Sequence, residues 1–165
     1  MPDPNSLEPF SLTGRTAVVT GASRGIGAAT ARALDRAGAR VALVARSRDD
    51  LEEVARRLDH DPVVVVGNLR HEQGPIDVGT RALEALDRVD ILVNNAAVAA
   101  RLDTVDTEAE AIDEMLAVNI RAPLLLIATL IPSMVERGSG SIINLSSVSA
   151  LVGTPRRAAY AASKG

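Results

Sequence analysis

The sequence predicts an α/β fold built on a doubly wound parallel sheet, and three features carry that expectation. Short β-branched runs alternate with alanine-rich helical patterns. The runs are apolar without interruption, the mark of strands buried on both faces. A glycine-rich turn joins the first run to the first helical pattern.

Thr16–Thr20 reads as the first strand and Ile26–Ala37 as the helix that follows it. Arg40–Ala45, Asp49–Leu58 and Val63–Val66 continue as strand, helix and strand, and Asp90–Asn94 and Ser141–Leu145 supply two more strands. Ala17-Val18-Val19, Val63-Val64-Val65-Val66, Ile91-Leu92-Val93 and Ile142-Ile143 leave no polar position for solvent, so helices must cover both faces of the sheet. Right-handed crossovers are expected. Glu108–Val118 and Ala122–Glu136 read as two helices separated near Asn119 to Arg121. The second is apolar almost all round, which predicts burial on several sides, by the sheet and by a partner subunit. No repeat, low-complexity tract or linker interrupts the pattern, so residues 1–165 are expected to form a single domain.

Composition narrows the function classes. The chain has 165 residues, enough for one core, and is 47% hydrophobic and 24% charged, as a soluble globular protein is. Phe10 and Tyr160 are its only aromatic residues, so the core must be built from Val, Leu, Ile and Ala. A net charge of −3 and a pI near 5.4 offer no positive field to nucleic acid or an anionic membrane, and neither partner is expected. The absence of cysteine removes disulfides, thiolate metal sites and thiol nucleophiles. Met1-Pro2-Asp3-Pro4-Asn5 has no signal-peptide pattern, and the longest apolar stretch, Pro123 to Val135, is too short to span a bilayer; a cytoplasmic location is expected. His60 and His71 lie in polar stretches, and Glu108, Glu110, Asp113 and Glu114 read as one solvated helix side, so no metal site is expected.

The turn Thr20-Gly21-Ala22-Ser23-Arg24-Gly25-Ile26-Gly27 follows a strand and opens a helix. Glycines allow a tight turn and let the backbone approach a pyrophosphate, which then meets the free N–H groups and positive end of the helix. The spacing is G-x-x-x-G-x-G rather than G-x-G-x-x-G, and its context predicts dinucleotide binding. An acidic residue at the end of the second strand would accept from the adenosine ribose. Ala45-Arg46-Ser47 stands there instead. Arg46, with Arg24 inside the turn, can clamp a 2′-phosphate through charge-assisted contacts, which favours NADP(H) over NAD(H).

The chain has one tyrosine and one lysine, Tyr160 and Lys164, four residues apart. On a helix that spacing puts both side chains on one face. A cation beside a phenol, whose pKa is ordinarily ~10, favours the phenolate and suits proton exchange near neutrality.

With the Thr20–Gly27 turn, Asn94-Asn95-Ala96-Ala97, Asn119, Ser147 and Tyr160-x-x-x-Lys164 in this order, the chain resembles the short-chain dehydrogenase/reductase family. It is similar to the single-domain branch with the glycine motif T-G-x-x-x-G-x-G. The resemblance covers nearly the whole chain. It implies a Rossmann-like fold and an NAD(P)-dependent oxidoreductase that moves a hydride between nicotinamide and a small carbonyl or secondary alcohol. By the same resemblance Tyr160 is the general acid/base, and Lys164 holds the nicotinamide ribose and lowers the phenol pKa. Ser147 polarises the substrate oxygen; Ser146 competes for that role, and the spacing to Tyr160 favours Ser147. Asn119 is implied to bend its helix and hold a water in a proton relay. Gly21, Ser23, Arg24, Gly25, Ile26, Gly27, Arg46, Asn68, Leu69, Asn95 and Ala96 are implied to contact the cofactor, together with Tyr160 and Lys164.

Two departures from the family pattern stand out. Asn68 occupies the place of an aspartate that accepts from the adenine amino group, and Ala97 replaces the glycine of N-N-A-G, which matters only if the backbone there needs a positive φ. The resemblance also implies a homo-oligomer built through the Ala122–Glu136 helix and the tyrosine helix. Family members continue past the lysine through a sixth and seventh strand and a segment that closes over substrate. The sheet is therefore expected to be incomplete at its C-terminal edge, with the fifth strand uncovered, the substrate-binding part missing, cofactor binding weak and turnover slow or absent. The alternative expectation is a non-catalytic nucleotide-binding remnant.

Overall fold

In the computed structural model, which describes residues 10–165, the apolar runs form one five-stranded parallel sheet. Its strands are β1 (Thr16–Thr20), β2 (Arg40–Ala45), β3 (Val63–Val66), β4 (Ile91–Asn94) and β5 (Ser141–Asn144), in the spatial order β3-β2-β1-β4-β5. Six α-helices accompany them among the described residues: α1 (Gly25–Arg36), α2 (Arg48–Ala55), α3 (Gly74–Leu86), α4 (Ala109–Leu116), α5 (Ala122–Glu136) and α6 (Ala158–Ala162). The Met1–Asn5 reading lies outside the described residues.

Alternate strand residues feed two cores. Ala17, Val19, Val41, Leu43, Ile91 and Val93 pack against Ala28 and Ala31 of α1 and Leu51 and Val54 of α2. On the other face Val18, Ala42, Val44, Val65 and Leu92 pack against Val78, Ala82 and Leu86 of α3 and Leu126, Leu130 and Met134 of α5. The covering helices change faces where the strand order reverses, between β1 and β4, so every crossover keeps one hand.

Two elements differ from the sequence reading. The pattern read above has no helix between β3 and β4, yet α3 fills that crossover; Pro75 in its first turn and the apolar spacing Val78, Ala82, Leu86 mark it. The two helices expected at 108–118 and 122–136 form one rod. They join through a π turn at Ala117–Arg121, where the Ala122 N–H bonds the Ala117 carbonyl, so the break near Asn119 is a bulge and not a loop.

The rod Ala109–Glu136 has 28 residues and is long and apolar enough to cross a bilayer by length and composition alone, which corrects the shorter Pro123–Val135 reading. It is placed as a core helix. Ala122, Leu126, Leu130 and Met134 form a stripe at i, i+4 buried on α3 and the sheet. Within this chain α5 is buried on that side only, since Leu124, Ile131 and Val135 are 60%, 39% and 71% exposed. β5 pairs with β4 alone and leaves Ile143 exposed, so the fifth strand is an open edge.

At the amino ends of the strands, Asp90 locks β1 to β4. Its carboxylate accepts from the Thr16 N–H at 2.9 Å and from Arg88 Nε at 3.0 Å, with Arg15 at 3.5 Å. Burial alone would raise its pKa; the Thr16 amide, Arg88 and Arg15 outweigh burial and hold the carboxyl below its ordinary 3.8. A carboxyl depressed in this way stabilises the fold above its ordinary value and loses that contribution as pH falls through the lowered one. Asp90→Asn is expected to cost about 2 kcal/mol near neutral pH and progressively less below about pH 4. Thermal melts of both proteins across that range check it, and parallel curves refute it.

Candidate nucleotide cleft and the tyrosine helix

Where the strand order reverses, the carboxyl tips of β1 and β4 diverge and leave a crevice. A cleft of about 670 Å³ opens there. The glycine turn lines it with Gly21, Ser23, Arg24, Gly25, Ile26 and Gly27; the end of β2 adds Arg46, the end of β3 adds Asn68 and Leu69, and the end of β4 adds Asn95 and Ala96.

The floor of the cleft is a hydrogen-bonded clamp. Thr20 Oγ1 donates to the Val93 carbonyl at 3.3 Å and accepts from the N–H groups of Asn95 and Ala96, both at 3.0 Å. Asn95 Nδ2 returns the link, donating to the carbonyls of Thr20 at 2.7 Å and Gly21 at 3.3 Å. A Cβ at Gly27 would collide with the Gly21 carbonyl and the Asn95 amide. Gly21 and Gly25 have φ of +65° and +56°, where L-residues are strained. The N-cap of α1 is Arg24, whose side chain caps nothing, so the first-turn N–H groups face the cleft without a side-chain acceptor.

Arg24 and Arg46 border the cleft, and among the described residues neither belongs to an ion pair. Asn68 Oδ1 already accepts from the Arg70 N–H at 3.1 Å, leaving its second lone pair open. Ala97 does not take a positive φ, so alanine there carries no backbone strain. One part of this wall was invisible in the sequence. Arg70 pairs with Glu110 at 3.3 Å and Glu114 at 3.5 Å, and Arg121 donates to the Arg70 carbonyl at 2.5 Å. Glu110 and Glu114 thus tie α4 to the loop after β3 rather than forming a purely solvated side, and Glu114 lines the cleft.

The four residues expected to do the chemistry stand outside this lining. Asn119 lies in the π turn beside Val118, which lines the cleft as Val98 does. Its Oδ1 accepts from the Val98 N–H at 2.9 Å, and its Nδ2 donates to the Val98 carbonyl at 2.9 Å and to Ser163 Oγ at 2.8 Å. Ser147 caps a short 3₁₀ turn, Val148–Ala150, by accepting from the Ser149 N–H at 3.2 Å. Ser146 Oγ donates to the Lys164 carbonyl at 2.7 Å. The Lys164 ammonium donates to the Leu145 carbonyl at 2.5 Å, and burial lowers its pKa from the ordinary 10.5.

Tyr160 lies on α6 and Lys164 two residues past its end. Among the described residues no hydrogen bond joins the Tyr160 hydroxyl to Lys164, and the cation over the ring is Arg157, 5.1 Å from the centroid. α6 ends at Ala162, and the Lys164 N–H bonds the carbonyl of Ala161, only three residues back.

An all-parallel sheet that reverses its strand order beneath a glycine turn defines the Rossmann-like class of α/β proteins. The family model for short chain dehydrogenases matches residues 15–165. Carbonyl reductase (NADPH) 2 of Sus scrofa is 40% identical over 158 residues, which are 94% of this chain and 62% of that protein. A metagenomic short-chain oxidoreductase in complex with NADP superposes with a TM-score of 0.88 at 40% identity, covering 93% of this chain and 71% of that one. A 3-oxoacyl (acyl-carrier-protein) reductase from Agrobacterium tumefaciens with NADP bound gives 0.91 at 35% identity, covering 97% and 63%. The chain belongs to the short-chain dehydrogenase/reductase family of oxidoreductases. It spans about half to two thirds of the length of the curated relatives it matches.

Gly25 and Gly27 of the turn are constrained differently, which gives a test. A Cβ at Gly25 meets nothing within 4 Å and only the backbone angle is strained, whereas at Gly27 there is no space at all. Gly25→Ala is expected to cost about 1 kcal/mol and Gly27→Ala about 2–3 kcal/mol, because α1 must lift from the sheet. Denaturant melts rank the two variants, and equal losses contradict the clamp.

Proposed function

We propose that this chain, as a single Rossmann-like unit, binds NADP(H) in the cleft and moves a hydride between the nicotinamide and a small carbonyl or secondary alcohol. One observation carries the reading. Gly21, Gly25 and Gly27 bare the backbone at the uncapped start of α1, the arrangement a pyrophosphate needs to meet peptide N–H groups. Unpaired Arg24 and Arg46 on the cleft's border support a 2′-phosphate between them. The NADP complexes of two solved relatives, and the NADPH in the name of the porcine one, support the same choice.

The bound nicotinamide supplies or receives the hydride. Tyr160 gives a proton to the carbonyl oxygen, or takes one from the hydroxyl in reverse. Lys164, its ammonium held at the tip of β5, holds the ribose and brings positive charge to the proton transfer. Ser147 donates to the substrate oxygen, because its own oxygen only accepts, from the Ser149 N–H, and its hydrogen is uncommitted. Ser146 has spent its hydrogen on the Lys164 carbonyl, which favours Ser147 on grounds independent of spacing. Asn119 joins the loop after β4 to α6 and carries the relay water of the family pattern.

NADPH consumption against a panel of ketones tests the reading. Tyr160→Phe is expected to lower the rate at least about 100-fold while nucleotide binding persists, and Arg24→Ala or Arg46→Ala to weaken NADPH about tenfold with little effect on NADH. Binding without turnover leaves a non-catalytic nucleotide module instead, and absence of binding sinks both. A second copy is proposed to cover the outer face of α5. Val135→Glu is then expected to shift sedimentation towards the monomer, and an unchanged profile refutes that partner.

A further inference from the structure

We propose that Ser163 is a positioning residue that fixes the helical turn carrying Tyr160 to the α4–α5 rod, an assignment that rests on the role of Tyr160 given above. Ser163 is 6% exposed. Its hydroxyl accepts from Asn119 Nδ2 at 2.8 Å and donates to the carbonyl of Tyr160 at 2.8 Å. Asn119 is itself closed on Val98 through both the N–H and the carbonyl, each at 2.9 Å. A continuous chain of hydrogen bonds therefore runs from the loop after β4, through the π turn, to the backbone of the tyrosine.

α6 needs such a tether. It has five residues, no side-chain cap at Arg157 and no buried residue along Ala158–Ala162. A helix that short has almost no stability of its own, so neither propensity nor an apolar stripe decides where the tyrosine ring stands. Ser163 is the first buried residue after it. With alanine at this position, a hydrogen of the Asn119 amide and the Tyr160 carbonyl lose their shared partner inside a desolvated contact. The π turn enters the argument because the bulge is where the rod presents Asn119 to both Val98 and Ser163.

The chain's composition makes the test clean. Tyr160 is the only tyrosine and there is no tryptophan, so tyrosine emission reports this turn alone. In the full 165-residue chain, Ser163→Ala is expected to raise acrylamide quenching of Tyr160. It is also expected to speed amide exchange in α6 roughly fivefold, the equivalent of one hydrogen bond. Amides of β1 keep their wild-type rates. Ser163→Thr, which retains the hydroxyl, restores both signals. Unchanged quenching in Ser163→Ala overturns the assignment. So does an equal loss of protection in β1, which would make the hydroxyl a prop for the whole fold, and so does Ser163→Thr behaving like alanine. None of these signals needs turnover. A chain that gives them and reduces no ketone sinks the proposed reaction and leaves the role of Ser163 standing.

Discussion

The absence of a side chain at Gly27 is the constraint on which the rest of this structure depends. α1 must start at the tip of β1 and still lie flat enough for Ala28 and Ala31 to enter the core with Val19 and Leu43. Its first turn therefore presses on the Gly21 carbonyl and the Asn95 amide, and only hydrogen fits between them. The same Asn95 amide bridges the carbonyls of Thr20 and Gly21. The floor of the cleft, the start of the helix and the β1–β4 junction are thus one piece of geometry, and no part of it relaxes without the others.

The sheet divides its polar chemistry between its two ends. At the amino ends a buried carboxylate, Asp90, is neutralised by Arg88, Arg15 and a backbone amide, so charge there is consumed in joining strands. At the carboxyl ends the junction is made by neutral groups, the Thr20 hydroxyl and the Asn95 side-chain N–H groups. Arg24 and Arg46, on the border of the cleft there, take no ion-pair partner among the described residues, whereas Arg70 on the same wall is paired with Glu110 and Glu114. A joint built from neutral groups leaves the local field to arginines that remain available to an anion.

What was legible in the sequence follows from how local each feature is. Strands buried on both faces must be apolar throughout, so β1, β2 and β4 appear as uninterrupted runs, whereas Ile142-Ile143 of β5 gave the same signal yet stands at an exposed edge. The cleft residues were legible because a turn and three strand ends are contiguous segments. α3 was passed over although Val78, Ala82 and Leu86 keep helical spacing and Pro75 marks its first turn, so this omission lay in the reading and not in the residues. The continuity of α4 with α5 was hidden because a π turn keeps helical bonding where Asn119 reads as a break. Tyr160 and Lys164 were found from their spacing, but the carbonyl that receives the ammonium, on Leu145, belongs to a distant segment and leaves no spacing signal. Ion pairs such as Arg70 with Glu114 join segments far apart in the chain and leave no periodic trace.

β5 and α6 are each weak alone and gain definition from one another. β5 is an exposed edge, yet its tip is tied to β4 twice, by Asn94 Nδ2 to Asn144 Oδ1 at 2.9 Å and by the Leu145 N–H to the Asn94 carbonyl at 3.0 Å. The side chain of Leu145 packs on the α1–α2 core, which sets the direction of its carbonyl. That carbonyl receives the only lysine ammonium in the chain, and the next hydroxyl, on Ser146, returns a bond to the lysine's own carbonyl. The end of α6 is thereby held at the β5 tip through Lys164 and at the rod through Ser163 and Asn119. Two anchors on different elements define a position that a five-residue helix cannot define for itself. The β5 tip is therefore joined on one side to β4, through Asn94, and on the other to the end of α6, through the Leu145 carbonyl and the Ser146 hydroxyl.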